Sequence, residues 1–128
     1  MLPVINVLLI EDNRLEARQT QHWLAADKSA AFEVESVDTL RLAGERLAQA
    51  RFDIVLLDLN LPDSSGLETF SKLHDRHSQV PIVVLTGEFD NSLGPAAMEL
   101  GAQNYLVKQK ADAASLTRVL HFALARKS

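Results

Sequence analysis

Phe52-Asp53-Ile54-Val55-Leu56-Leu57-Asp58 is the stretch on which the fold turns. Four consecutive apolar residues, led by the β-branched pair Ile54 and Val55, leave no polar face, so the segment reads as a strand covered on both sides. Val4 to Ile10 and Ile82 to Leu85 share that character. Two weaker candidates, Phe32 to Val37 and Asn104 to Val107, complete a set of five. The last alternates polar and apolar residues, as an edge strand would.

Helical patterns lie between these runs. Leu116, Val119, Leu120, Ala123 and Leu124 fall on one helical face and mark the final helix. Leu40, Ala43, Leu47 and Ala50 repeat the pattern after the second strand, with Asp38 available as a cap. A first helix is expected from Asn13, and a third from about Gly66 to His77, before Pro81 enters the next strand. A fourth is expected over roughly Asn91 to Leu100; Gly94 and Pro95 interrupt its start, and Gly101 supplies a stop. Strands alternating with helices imply an α/β fold, a five-stranded parallel sheet wrapped on both faces by five helices.

Composition removes several function classes. The chain has no cysteine, which excludes disulfide scaffolds, thiolate metal sites and cysteine nucleophiles and fits a reducing compartment; a cytoplasmic location is expected. A net charge of −4 gives no general attraction to polyphosphate, so no direct nucleic-acid binding is expected. The basic Arg126-Lys127 pair suits the negative end of a terminal helix. No apolar run approaches the roughly 18 residues a membrane span needs. The apolar first ten residues lack a basic leader and are followed at once by an acidic pair, which marks a buried strand rather than a signal peptide.

In an open doubly wound sheet, ligands bind beyond the carboxyl ends of the strands. The residues at those ends are Glu11 and Asp12 after the first strand, Asp58 closing the third, Thr86 after the fourth and Lys108 after the fifth. Each alone has an ordinary reading: a solvated turn, a helix cap, a surface lysine. Together, on one rim, they form a constellation. Three converging carboxylates repel one another unless a cation lies between them, and an oxygen-seeking ion such as Mg²⁺ is the economical choice. Asp58, ending the most apolar strand, is the candidate nucleophile. Thr86 offers a hydroxyl and Lys108 a point charge for the equatorial oxygens of a transferring phosphoryl group.

These residues resemble the receiver domain of two-component response regulators. The likeness runs through Val7-Leu8-Leu9-Ile10-Glu11-Asp12, then Asp53 to Gly66, then Pro81-Ile82-Val83-Val84-Leu85-Thr86-Gly87, and Gly101-Ala102 leading to Tyr105-Leu106-Val107-Lys108. It implies a flavodoxin-like strand order of 2-1-3-4-5 and a single receiver domain over 1–128. With the sequence ending within a few residues of the last helix, no output domain is expected in this chain, either a stand-alone protein or a piece of a longer one. The resemblance implies phosphorylation of Asp58 by a histidine kinase or histidine phosphotransfer protein, with Mg²⁺ bound by Asp12, Asp58 and the backbone carbonyl of Asn60. Glu11 would act mainly through water. Lys108 and Thr86 would contact the phosphoryl oxygens, and Gly66 would permit the tight loop after the acceptor. A switch is implied in which Thr86 moves toward the phosphoryl group and Tyr105 turns inward, signalling to a downstream protein or output domain. The fourth helix and fifth strand are the expected signalling surface, with a homodimer in the phosphorylated state.

One departure stands out. A proline, commonly after a cis bond, usually follows the family's lysine; here Gln109 does. Because a cis bond before a non-proline residue costs about 2.5–4 kcal/mol, a trans Lys108–Gln109 bond is expected, with a rearranged loop. Gly87 and Asn60 leave a path for water, so moderately fast self-dephosphorylation is expected. Two alternatives bear on function. A flavin-binding module on the same fold would need a hydroxyl- and glycine-rich phosphate loop where Glu11-Asp12-Asn13 stands, and that loop repels a phosphate without metal. A degenerate receiver serving as an unphosphorylated docking scaffold is the other.

Overall fold

The computed structural model describes residues 1–90 and 92–127. Five strands form the main sheet: β1 (Val4–Ile10), β2 (Ala31–Val37), β3 (Ile54–Asp58), β4 (Ile82–Thr86) and β5 (Asn104–Val107). Five helices alternate with them: α1 (Arg14–Ala25), α2 (Leu40–Gln49), α3 (Leu67–Arg76), α4 (Leu93–Glu99) and α5 (Ala113–Lys127). The sheet is parallel throughout, in the order β2-β1-β3-β4-β5. This is the doubly wound α/β fold expected from the alternating pattern.

Strand residues project alternately to the two faces, and β1 and β3 are divided accordingly. Leu8, Ile10, Val55 and Leu57 join Ala43, Phe70, Leu73 and Ala97 from α2, α3 and α4 in one core. Val7, Leu9, Ile54 and Leu56 join Ala17 and Leu24 of α1 and Leu116, Leu120 and Ala123 of α5 in the other. Every residue of β3 is buried, which is why its sequence shows no polar face.

Local ends follow from local chemistry, with some corrections. Asn13 caps α1 by accepting from the Glu16 N–H at 3.1 Å. For α2 the cap is Thr39 rather than Asp38. Its hydroxyl accepts from the Leu42 N–H at 3.1 Å, while the Asp63 carboxylate takes the N–H groups of Leu40 and Arg41 at 2.9 and 3.0 Å. Asp38 lies one residue outside the capping position. β3 begins at Ile54 rather than Phe52, because Asp53 anchors the entrance: it receives the Asn6 N–H on its side chain and gives its own N–H to the Asn6 carbonyl, both at 2.8 Å. Helix α4 is shorter than expected; Asn91, placed at its start in the sequence reading, lies outside the described residues. Gly101 stops the chain after α4 at φ 122°.

Between β3 and α3 the chain makes a two-residue antiparallel ladder, Asn60–Leu61 with Ser64–Ser65, which the apolar pattern does not announce. Gly66 closes this loop at φ 77°, giving its N–H to the Leu59 carbonyl at 2.7 Å. A Cβ there would meet nothing within 4 Å, so the demand for glycine comes from the backbone conformation alone.

Candidate functional site

Register places the site. Ile10 pairs with Leu57, so the next residues on those neighbouring strands, Glu11 and Asp58, emerge side by side. Asp58 pairs with Leu85, and Val107 pairs with Thr86. Thr86 and Lys108 therefore reach the same rim from the other side of Asp58.

The Lys108 ammonium is the hub. It lies 2.6 Å from Glu11 Oε1, 2.7 Å from Asp58 Oδ2 and 2.8 Å from Glu16 Oε2. A lysine ammonium has three N–H donors, and each has a carboxylate in reach. Burial of Lys108 disfavours its charge, but the hydrogen bonds to Asp58, Glu11 and Glu16 outweigh that and hold it well above the ordinary lysine range. Glu11 is pushed the other way for a carboxyl, up to about 7, first by burial and then by the Asp58 carboxylate beside it; Lys108 offsets this only in part.

On the far side of Asp58, Oδ1 accepts the Asn60 N–H at 2.9 Å, which fixes the carboxylate plane. Asp58, Asn60, Gly66, Thr86, Gly87 and Asp90 line a cleft of about 290 Å³ there. Thr86 is buried, and its hydroxyl leans toward the Leu106 carbonyl at 3.5 Å. The Lys108–Gln109 bond is trans, as expected, and no cis bond occurs among the described residues. Residues Lys108–Lys110 form a single 3₁₀ turn.

The structure thus brings Glu11, Asp58 and Lys108 into direct contact, and Thr86 and Asn60 to the cleft beside Asp58. Asp12 is exposed, and the mutually close acidic group among the described residues is Glu11, Glu16 and Asp58, with one oxygen from each within 4.8 Å of the others. Glu16 was missed by the sequence reading. Its signal was its place in the first turn of a helix that starts at the rim, where a carboxylate is favoured by the helix dipole.

One ammonium among three carboxylates leaves excess negative charge, and Glu11, raised first by burial, is raised further by the Asp58 carboxylate. This all-oxygen donor set fits a hard divalent cation.

Comparisons with known proteins agree with the fold. The model of the response regulator receiver domain matches residues 7–120. The chain is 36% identical over 103 residues to the KDP operon transcriptional regulatory protein KdpE of Escherichia coli (strain K12), covering 80% of this chain and 44% of that protein. It is 35% identical over 116 residues to the photosynthetic apparatus regulatory protein RegA of Rhodobacter capsulatus, covering 90% and 60%. The chain spans about half the length of the curated relatives it matches. Among solved structures, the receiver domain protein of Methanospirillum hungatei JF-1 superposes with a TM-score of 0.82 at 20% identity, covering 97% of this chain and 96% of that one. That of Clostridium thermocellum gives 0.80 at 24%, covering 96% of each. The five-stranded parallel sheet with an acidic pocket at its carboxyl rim is that of a receiver, a signalling domain. The chain belongs to the response regulator receiver domains of two-component systems.

Proposed function

We propose that this receiver domain takes a phosphoryl group onto Asp58 from a phosphohistidine donor, carried by a histidine kinase or histidine phosphotransfer protein, and passes the signal to a downstream protein or output domain. The observation that carries the reading is the Lys108 ammonium held 2.7 Å from Asp58 at the mouth of the strand, with Glu11 in the same cluster. Glu11, Asp12, Asp58 and the Asn60 carbonyl would hold Mg²⁺. When bound, the ion would neutralise the crowded carboxylates and the charge on the phosphoryl oxygens.

In the transfer, an Asp58 carboxylate oxygen attacks phosphorus, the bond from phosphorus to the donor imidazole nitrogen breaks, and its electron pair stays on that nitrogen. Lys108 needs no proton change for its part, because its neighbours hold it charged throughout the neutral range. Thr86 gives up a weak contact, 3.5 Å to the Leu106 carbonyl, for a stronger charge-assisted one to a phosphoryl oxygen. That motion opens space beside β5 for Tyr105, whose ring lies against Gly94 of α4. The result is a two-state shift reported on α4 and β5. Met98 and Leu100 stand exposed there, on the face proposed to signal and to pair two phosphorylated copies.

The test is direct. Incubation with Mg²⁺ and a small-molecule phosphodonor should add one base-labile phosphoryl group by intact mass, and Asp58→Asn should abolish the gain. A gain that survives in Asp58→Asn would remove Asp58 as acceptor. Decay of the product in clean buffer then measures self-dephosphorylation, and persistence over many hours would contradict the open path past Asn60 and Gly87.

A further inference from the structure

The three carboxylates around Lys108 are not equivalent. Glu11 and Asp58 are buried, with side chains 1% and 7% exposed, and both belong to the acceptor and metal chemistry proposed above; Glu16 is 42% exposed and stands on α1. Its reach has a local cause. A glutamate at the third position of a helix ordinarily folds back onto the backbone N–H of the capping residue. Here that N–H, of Asn13, goes to Glu11 Oε2 at 3.2 Å. The Glu16 carboxylate is left to cross to Lys108.

Among the described residues, only Glu11 and Asp58 besides Glu16 hold the lysine's ammonium. The residue after it is an exposed glutamine in a trans linkage, in a 3₁₀ turn with no side-chain cap. Beside its stem lies a mostly apolar cavity of about 140 Å³, lined by Glu16, Trp23, Leu85, Leu106 and Leu116, which leaves room for the stem to swing. With a divalent cation and a phosphoryl group in place, Glu11 and Asp58 would give them oxygens, and two of the ammonium's three partners would be drawn away. Glu16 remains.

We propose that Glu16 is a positioning residue for phosphoryl transfer: through its 2.8 Å ion pair it keeps the Lys108 ammonium aimed at Asp58 once the other two carboxylates are engaged. The proposal rests on the receiver reading above. It is tested by timing phosphorylation of the full chain with acetyl phosphate at saturating Mg²⁺, followed by intact mass. Glu16→Ala should slow uptake by about tenfold, the scale of one charge-assisted hydrogen bond. Glu16→Gln, which keeps an acceptor oxygen without the charge, should fall between the two. In a Lys108→Met background the Glu16→Ala change should alter the rate by less than about twofold, since residues acting through one another are not additive.

Mg²⁺ affinity, read from Trp23 fluorescence, should weaken by less than about threefold, the effect of losing a nearby, part-exposed charge. Uptake by Glu16→Ala as fast as the wild type, a full further loss in the Lys108→Met background, or a larger fall in Mg²⁺ affinity would each overturn the proposal; the last would make Glu16 a metal ligand. If the wild type itself fails to gain an Asp58-dependent phosphoryl group, the receiver chemistry fails. If the wild type gains it and Glu16→Ala is indifferent, only the role of Glu16 fails.

Discussion

Glu11 is the side chain that links the electrostatics of the site to the stability of the fold. Its carboxyl loses a proton near 4.5 when unfolded and about 7 when folded, because burial and Asp58 disfavour its charge. Between those values the folded chain holds a proton the unfolded chain has released, so stability falls as pH rises through the window, by on the order of 3 kcal/mol at most. A divalent cation on the cluster relieves that penalty. Mg²⁺ should therefore raise the melting temperature little at pH 5 and by several degrees more at pH 8, and Glu11→Gln should flatten the difference. Equal gains at both pH values would place Glu11 outside the ion's field. Glu11, Asp58, Thr86 and Lys108 were visible in sequence as polar residues that follow apolar runs. Glu16 was not, because its meaning depends on a lysine 92 residues away.

Among the elements, α4 is the one whose sequence pattern is poorest, and the structure shows what that pattern serves. Gly94 lies under the Tyr105 ring, where an added Cβ would fall 2.2 Å from a ring carbon. A larger residue there would have kept the helix pattern but displaced the tyrosine of β5. Gly94→Ala should destabilise the domain by about 1–3 kcal/mol through overpacking, measured by urea unfolding, and Tyr105→Ala in the same chain should recover part of the loss. Strictly additive losses would mean that the ring contact is not the source. The start of α2 carries a related lesson. Asp63 and Thr39 share its free N–H groups, and Asp63 reaches them from the loop after β3. A capping preference read along the chain finds Asp38 because it weighs only neighbours in sequence.

For the molecule as a whole, one sheet separates two apolar cores, so the domain should unfold as one unit only if damage on either face is felt through the sheet. Leu56 and Leu73 belong to opposite cores and are almost fully buried. Leu56→Ala and Leu73→Ala should each cost about 2–5 kcal/mol. Trp23, which packs on the Leu56 side, should report the same midpoint as far-ultraviolet circular dichroism in both variants. A Trp23 transition left in place by Leu73→Ala would show that the two faces unfold separately.

The sequence alone determined the alternation of strand and helix, the burial of β3 and the polar residues at the strand ends. Periodicity and burial are written in each segment's own residues, and parallel strands joined by helices bring their carboxyl ends to one rim. Only the tertiary structure decided how those ends share partners. Three carboxylates on one ammonium, Asp63 capping a distant helix and Tyr105 seated on Gly94 depend on how α1, α2 and α4 pack against the sheet. Such packing sets distances between residues far apart in the chain, and no local pattern encodes them.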